Sequence, residues 1–390
     1  MLIIRTAFKN IIGAGRATWL NIAVLSFVLV IMTAYNGMLD GWIEESRRDT
    51  MDWDTGWSQL WHPNYDKYNI FSLPDAHGKI PGQMDDLLKA GMAAPVLVIQ
   101  ASVYPQGRMM NIQLKGIDPE QHILKIPSLS LRSAGGETPV AIGKRMAATT
   151  KLKKGDRVML RWRDRNGVFD AREVRIAAIF ETTVGNVDTG QMWVALDDLY
   201  AMTGMQGEAT YIVMPHESPV NAETGGWHFK DNDFLLTDNR IMEQSSRAES
   251  LIIFTILLTL ALLAVYDTQT LSIFRRQKEI GTYVALGMTP KDVTALFTIE
   301  GTTYSLFAAL FGAIWGAPLL YWFTKTGLPM PEAYGDIGMA VGKAMYPVYK
   351  LTTITTTILV VILFSALVSY LPARKITHQN MVWALKGKIN

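Results

Sequence analysis

Four long stretches that are almost free of charge decide what this chain can become. Residues 17–39, between Arg16 and Asp40, read ATWLNIAVLSFVLVIMTAYNGML. Leu251 to Phe274 is interrupted only by Asp267, and Gly301 to Thr324 and Leu351 to Ala373 carry no charge at all. A helix needs about 20 apolar residues to cross a hydrocarbon layer of roughly 30 Å, so each stretch is long enough. The expected spans are 17–39, 250–272, 297–324 and 351–372. The first exceeds the roughly 7–15 residues of a cleavable signal core and runs into Tyr35-Asn36-Gly37-Met38, not a small-residue cleavage site. It reads as a retained anchor.

Composition enters as a check on this picture. Of 390 residues, 49% are hydrophobic and 18% charged, an apolar lean for a soluble protein but diluted for one wholly embedded in lipid. The fold class expected is an α-helical membrane protein: four transmembrane helices and a large α+β periplasmic domain inserted between helices 1 and 2. Cysteine is absent, which removes disulfides, thiolate nucleophiles and cysteine zinc sites from consideration. The net charge of +2 gives no reason to expect a nucleic-acid partner, and none is expected.

Basic residues set the orientation. Arg5, Lys9 and Arg16 precede the first span. Arg275, Arg276, Lys278 and Lys291 lie between the second and third, and Arg374, Lys375, Lys386 and Lys388 follow the fourth. The positive-inside rule places these three segments (1–15, 273–294 and 373–390) in the cytoplasm. Segments 40–248 and 325–350 then lie outside, with both termini inside a bacterial inner membrane. In residues 1–15, Ile3, Ile4, Ala7, Phe8, Ile11 and Ile12 share one helical face, the pattern of an amphipathic helix lying in the membrane interface.

Segment 40–248 is too long for a loop. Val96 to Ile99 and Asn111 to Ile117 read as strands, and Gly143 to Leu152 and Leu196 to Gly204 as helices. Two alternating runs flank Asn166-Gly167, a pair suited to a type I′ hairpin turn because both residues accept positive φ. Trp42, Trp53, Trp57, Trp61, Tyr65 and Tyr68 fit core or membrane-interface positions better than a substrate surface.

Catalytic patterns are missing. There is no GxxxxGK[ST] loop, no GxSxG elbow and no HExxH, and the six histidines lack metal-ligand spacing. The chain is therefore not expected to be an enzyme, to bind a metal or to bind a cofactor of its own. Any work it does must draw energy from elsewhere.

The most informative stretch is FRRQKEIGTYVALGMTPKDVTALFTIEG, residues 274–301. A basic collar leads into a short helix bearing Ile280, Tyr283, Val284 and Leu286, which breaks at Gly287-Met288-Thr289-Pro290. Thr289 is placed to cap the next helix, with Pro290 at its first position. This loop resembles that of the FtsX-like, or MacB-type, ABC-transporter permeases at Arg275, Arg276, Glu279, Ile280, Gly281, Ala285, Leu286, Gly287, Glu300 and Gly301. Met288 replaces the family's usual small residue. Leu371-Pro372-Ala373-Arg374-Lys375 and Val382-Trp383-Ala384-Leu385-Lys386 resemble its C-terminal pattern, with Met381 where proline is usual. Within the family, Leu114-Lys115-Gly116-Ile117-Asp118-Pro119, Ile142 to Ala147 and Lys154-Gly155-Asp156 look most like the lipoprotein-releasing LolC/LolE group. The Asn166-Gly167 hairpin is too short for the chaperone-recruiting hook of some members.

The resemblance implies a coupling helix, Glu279 to Gly287, seated on a separate ABC ATP-binding subunit of the LolD kind, which binds ATP and Mg. It also implies a second permease chain, identical or homologous, and a lipoprotein or other lipidated substrate drawn from the membrane. The alternatives are a mechanotransmission subunit that activates a cell-wall hydrolase and an exporter of a drug, peptide or haem with a periplasmic adaptor. Gly312 and Gly316 form GxxxG, which suits a dimer face or close packing within one chain equally. Asp267 is expected to reach water or pair with Arg275 or Arg276.

Overall fold

The computed structural model describes residues 16–133, 136–215, 223–329 and 344–377. The interfacial helix expected over 1–15, the motif at 381–386 and most of the 325–350 loop lie outside the described residues. The chain divides into two compact units. One gathers Met1–Trp42, Glu243–Leu328 and Met345–Asn390, and the other Ile43–Met242 with Pro329–Ala344.

In chain order the helices are α1 (Arg16–Thr50), α2 (Asp85–Lys89), α3 (Lys144–Thr150), α4 (Gly185–Thr189), α5 (Leu196–Thr203) and α6 (Asn232–Leu235). The long α7 (Thr237–Arg275), short α8 (Gln277–Ala285), α9 (Pro290–Thr326) and α10 (Leu351–Thr377) follow. Among the described residues, four helical stretches are long and apolar enough to cross a membrane: Trp19–Thr55, Thr237–Arg275, Pro290–Thr326 and Leu351–Lys375. Each overlaps one of the spans read from sequence, the first beginning two residues later than 17–39. In the helical unit α1 contributes Ile22, Leu25, Leu29 and Met32, a three- and four-residue spacing that makes one stripe. The stripe packs with Leu258, Leu262 and Val265 of α7, Tyr304 and Ala308 of α9, and Val361 of α10. Phe27, Leu260, Ile314 and Leu363 face outward and stay exposed. A bundle that is apolar outside as well as inside has the surface that lipid requires.

Gly312 and Gly316 of α9 are occupied by this same chain. A Cβ on Gly316 would meet Val30 Cγ2 at 2.5 Å, and one on Gly312 would lie 3.5 Å from the Ser26 carbonyl oxygen. The two glycines let α1 and α9 approach, and their face is filled by α1. Of the two alternatives, packing within one chain is the one this face displays.

The second unit is built on strands β1 (Ser58–Trp61), β2 (Gly78–Lys79), β3 (Ala94–Val103), β4 (Met110–Ile117), β5 (Thr138–Gly143) and β6 (Arg157–Arg163). The remainder are β7 (Phe169–Phe180), β8 (Gln191–Ala195), β9 (Glu208–Ala209), β10 (Tyr211–Met214), β11 (Glu223–Thr224) and β12 (Trp227–Lys230). Ten of them run β11-β12-β1-β10-β3-β4-β8-β5-β7-β6, and β6 pairs back to β3. Six strands thus close into a barrel. Strand β3 makes this possible by its length. Its first residues pair with β10, Ala101 to Val103 pair with β6, and its other edge pairs with β4 throughout.

Alternation of side chains sorts the strands into two cores. Leu97, Ile99, Ile112, Leu114, Met192 and Val194 enter one core with Trp162. Val96, Val98, Ile117, Trp193 and Ala195 enter another with Trp61, Tyr211 and Val213. Three of the early aromatic residues join this second core: Trp53 stacks on Phe180, and Trp61 meets Tyr65 edge-on, whereas Tyr68 stays exposed.

The hairpin at Asn166-Gly167 differs from the expected two-residue turn. The connection spans residues 164–168, and only Gly167 has positive φ, at 79°. The Asp164 carboxylate accepts the backbone N–H of Asn166 and of Val168, and the Val168 carbonyl accepts the N–H of Asp164. The aspartate cap, which the Asn-Gly reading overlooked, selects the longer loop.

Candidate functional site

The loop singled out in the sequence forms a helix of its own. α7 ends at Arg275, Arg276 stands as the N-cap of α8, and α8 runs to Ala285. It stops at a glycine-dependent cap. The Gly287 N–H donates to the Val284 carbonyl and the Met288 N–H to the Tyr283 carbonyl, the paired bonds of a Schellman motif. That motif needs a left-handed residue, and Gly287 has φ +94°. Thr289 then opens α9 through a reciprocal capping box with Asp292, and Pro290 takes the first helical position. The capping read from sequence is the capping observed.

The two faces of α8 differ. Ile280 and Gly281 are buried, and Ile280 packs with Ile273, Val293, Phe297 and Ala373. Lys278, Glu279, Thr282 and Ala285 are exposed, and Leu286, just past the helix, is 79% exposed. The sequence-matched residues therefore split. Ile280, Gly281 and Arg276 hold the helix down, whereas Arg275, Glu279, Ala285, Leu286 and Gly287 face away from the bundle.

Arg276 is the hub of the anchor. Its Nη1 donates to both carboxylate oxygens of Glu300, at 3.0 and 2.9 Å, and its Nε donates to Glu279 at 2.8 Å. Its guanidinium lies 5.1 Å from the centre of the Phe297 ring. Glu300 is only 2% exposed and accepts a further bond from the Tyr304 hydroxyl at 3.3 Å. This pairing was missed in the sequence, although its signal was present: an acid sits one residue before an uncharged span, with a basic pair across the loop.

Of the two outcomes expected for Asp267, reaching water or pairing with Arg275 or Arg276, no ion pair with either arginine is formed among the described residues. Asp267 is exposed on α7, and Arg276 is committed to Glu279 and Glu300. A second ion cluster joins three chain segments of the helical unit. Asp40, 2% exposed, accepts from Arg247 at 2.9 Å and lies 3.6 Å from Lys350.

In the second unit, the family-like motifs serve the fold. Lys115 is buried, bonds to Asp54 at 3.0 Å and lies over the Trp193 ring. A side chain on Gly116 would strike Leu199, and one on Gly143 would strike Asp188. Asp188 accepts the Arg145 backbone N–H at 3.0 Å in the first turn of α3 and lies 3.3 Å from the Arg145 guanidinium. Burial pushes its carboxyl above the usual aspartate range, against the opposing pull of Arg145. Among the described residues no cluster of three or more His, Asp or Glu side chains is arranged to hold a metal.

Comparison with known proteins finds a family likeness in part of the chain. Residues 251–381 match the family model described as FtsX-like permease C-terminal. No curated protein matches the chain. Among solved structures, the extracellular domain of the noncanonic ABC-type transporter YknZ from Gram-positive bacteria matches at 17% identity and a TM-score of 0.25. That match covers 47% of this chain and 93% of the other.

Proposed function

We propose that the chain is the permease subunit of an ABC system of the FtsX/MacB type, driven by a separate ATP-binding subunit. The observation that carries this reading is the two-faced α8: a short helix tied to the bundle through Arg276–Glu300 and Ile280 that presents Glu279, Ala285 and Leu286 outward. Exposed leucine beside charge on a capped, anchored helix is suited to seat in a groove of a partner. The family match over residues 251–381 supports a permease role.

In this reading the loop and both termini are cytoplasmic, the Ile43–Met242 domain is periplasmic, and a second permease chain completes the assembly. ATP and Mg reside on the partner. The finer assignment is release of lipidated proteins from the membrane, supported by the sequence likeness of the Leu114–Pro119 and Ile142–Ala147 stretches to the LolC/LolE group.

The test is co-purification from native membranes in mild detergent, comparing the unmodified chain with Glu279→Arg/Leu286→Asp. Both side chains are exposed, but Glu279 also accepts from Arg276 Nε, so thermal unfolding of the variant serves as its folding control. An ATP-binding protein retained by the former and lost from the latter is expected, with lipoproteins carried along if the finer assignment holds. An ATPase retained equally by both removes α8 as its seat. Absence of any ATPase from the unmodified chain refutes the permease reading.

A further inference from the structure

The second unit contains a cleft of about 1000 Å³ that the permease reading does not use. Ordinary small-molecule pockets span about 300–1,000 Å³, so this one has room for a segment of polymer. Its floor is the outward face of β3, β4 and β8, where alternation brings Gln100, Gln113, Lys115 and Gln191 to one side. One rim carries Tyr68, Ile70 and Phe71, and another carries Arg161, Arg163 and Phe169.

Three properties of the lining specify an occupant. First, Gln191 is 5% exposed, and its carbonyl Oε1 has no hydrogen-bond partner among the described residues. A buried acceptor left unpaired is unfavourable, so the site favours a ligand that brings an N–H or O–H donor. Second, the acids in the lining are already paired, Asp54 with Lys115 and Asp238 with Lys67. Arg161 and Arg163 form no ion pair among the described residues; both guanidiniums lie against Phe169, at 4.0 and 5.3 Å from its ring centre. The cleft is thus left with two unneutralised cations. Third, Phe71 is 85% exposed, and Tyr68, Ile70 and Phe169 are exposed beside it.

We propose that this cleft binds an extended polypeptide segment bearing acidic and apolar side chains. Backbone N–H groups supply donors for the amide floor, acidic side chains meet Arg161 and Arg163, and apolar ones pack on the aromatic rims. An acyl chain would leave the glutamine floor unpaired, and a neutral glycan would leave both arginines unused. The inference stands on the cleft alone and needs no ATP-binding subunit.

The test is fluorescence anisotropy with the full chain in phosphatidylcholine nanodiscs. The probe is a fluorescein-labelled hexapeptide of alternating glutamate and leucine, with a lysine–leucine hexapeptide, chitohexaose and dodecyl phosphate as comparators. Saturable binding of the acidic peptide is expected, with the lysine peptide at least about tenfold weaker because like charges meet. Arg161→Glu/Arg163→Glu should weaken binding about tenfold, and Phe71→Ser, a change at a solvent-exposed side chain, severalfold. Gln191→Leu should weaken it as well, with thermal unfolding as its folding control. No binding of the acidic peptide, equal binding of the lysine peptide, or indifference to both the arginine and Phe71 changes overturns the proposal. Saturation by chitohexaose or dodecyl phosphate without peptide binding overturns it too, and assigns the cleft to that class. The readout contains no ATPase, so this proposal and the permease reading can fail separately.

Discussion

Removing Arg276 should cost the helical unit more than any other single charge change near the loop. Glu300 is 2% exposed, and its cationic partner is Arg276, whose Nη1 donates to both carboxylate oxygens. Deleting one member of a buried ion pair leaves the other desolvated and uncompensated, a loss of about 3–5 kcal/mol. For a unit of this size each kcal/mol moves the midpoint by roughly 2–4 °C, so Arg276→Ala should lower the apparent Tm by about 6–20 °C. The assay is thermal unfolding of the purified chain in detergent, followed by tryptophan emission. Arg275→Ala, one residue away and exposed, is the control and should stay within about 0.5 kcal/mol. The double variant Arg276→Met/Glu300→Leu should recover most of the loss, since a buried pair is often replaceable by apolar side chains at little cost. A drop below about 2 °C for Arg276→Ala, or a double variant as unstable as the single, would refute the claim that Glu300 is held by this pair.

Two further outcomes follow from the packing. Gly316→Ala gains about 1 kcal/mol of helix propensity but drives a methyl into Val30 Cγ2, an overpacking cost of about 1–3 kcal/mol. It should lower the midpoint, and Val30→Ala should relieve it; an effect that instead followed the oligomeric state and ignored Val30 would contradict the intrachain contact. Asp188 gives a pH signature. Its folded carboxyl titrates above its unfolded value because it is buried, so the folded state holds its proton more tightly. The stabilisation this brings is complete below the unfolded aspartate value, near pH 4, and is lost as pH rises through the raised one. The Tm of the unmodified chain relative to Asp188→Asn should therefore fall from acid to neutral pH, and a flat difference would show that Asp188 is not the group responsible.

The features legible in the sequence were those carried by local patterns. The four spans needed only length and absence of charge. The break after α8 needed only Gly287, Thr289 and Pro290, each acting within a turn of itself. What the sequence did not disclose depends on pairings between distant residues. Closure of β6 onto β3 is a register between positions 101–103 and 160–162, and no local pattern specifies it. Nothing local in the strand shows that Lys115 is buried, since its partner Asp54 comes from the helical turn that continues α1. Arg276 and Glu300 lie on opposite sides of a helical hairpin, and only the hairpin brings them together. GxxxG announced a close approach without naming its partner, since both alternatives satisfy the same small-residue rule. Asn166-Gly167 misled because Asp164, two residues earlier, offered a stronger local hydrogen-bonding arrangement.

The ion cluster at Asp40 has a consequence for the order in which the chain is made. Its partner Arg247 lies 207 residues further along, and at a synthesis rate of about 5–20 residues per second that separation takes roughly 10–40 s. Throughout that interval α1 exists without the helix that neutralises its buried aspartate. Every strand from β1 to β12, by contrast, has been made before Arg247 is added. The inserted unit can therefore complete its sheet while the bundle it interrupts is still waiting for its second helix. A nascent chain long enough for β12 to have left the ribosome, but not α7, would display the completed sheet, and protease protection of that unit would mark it.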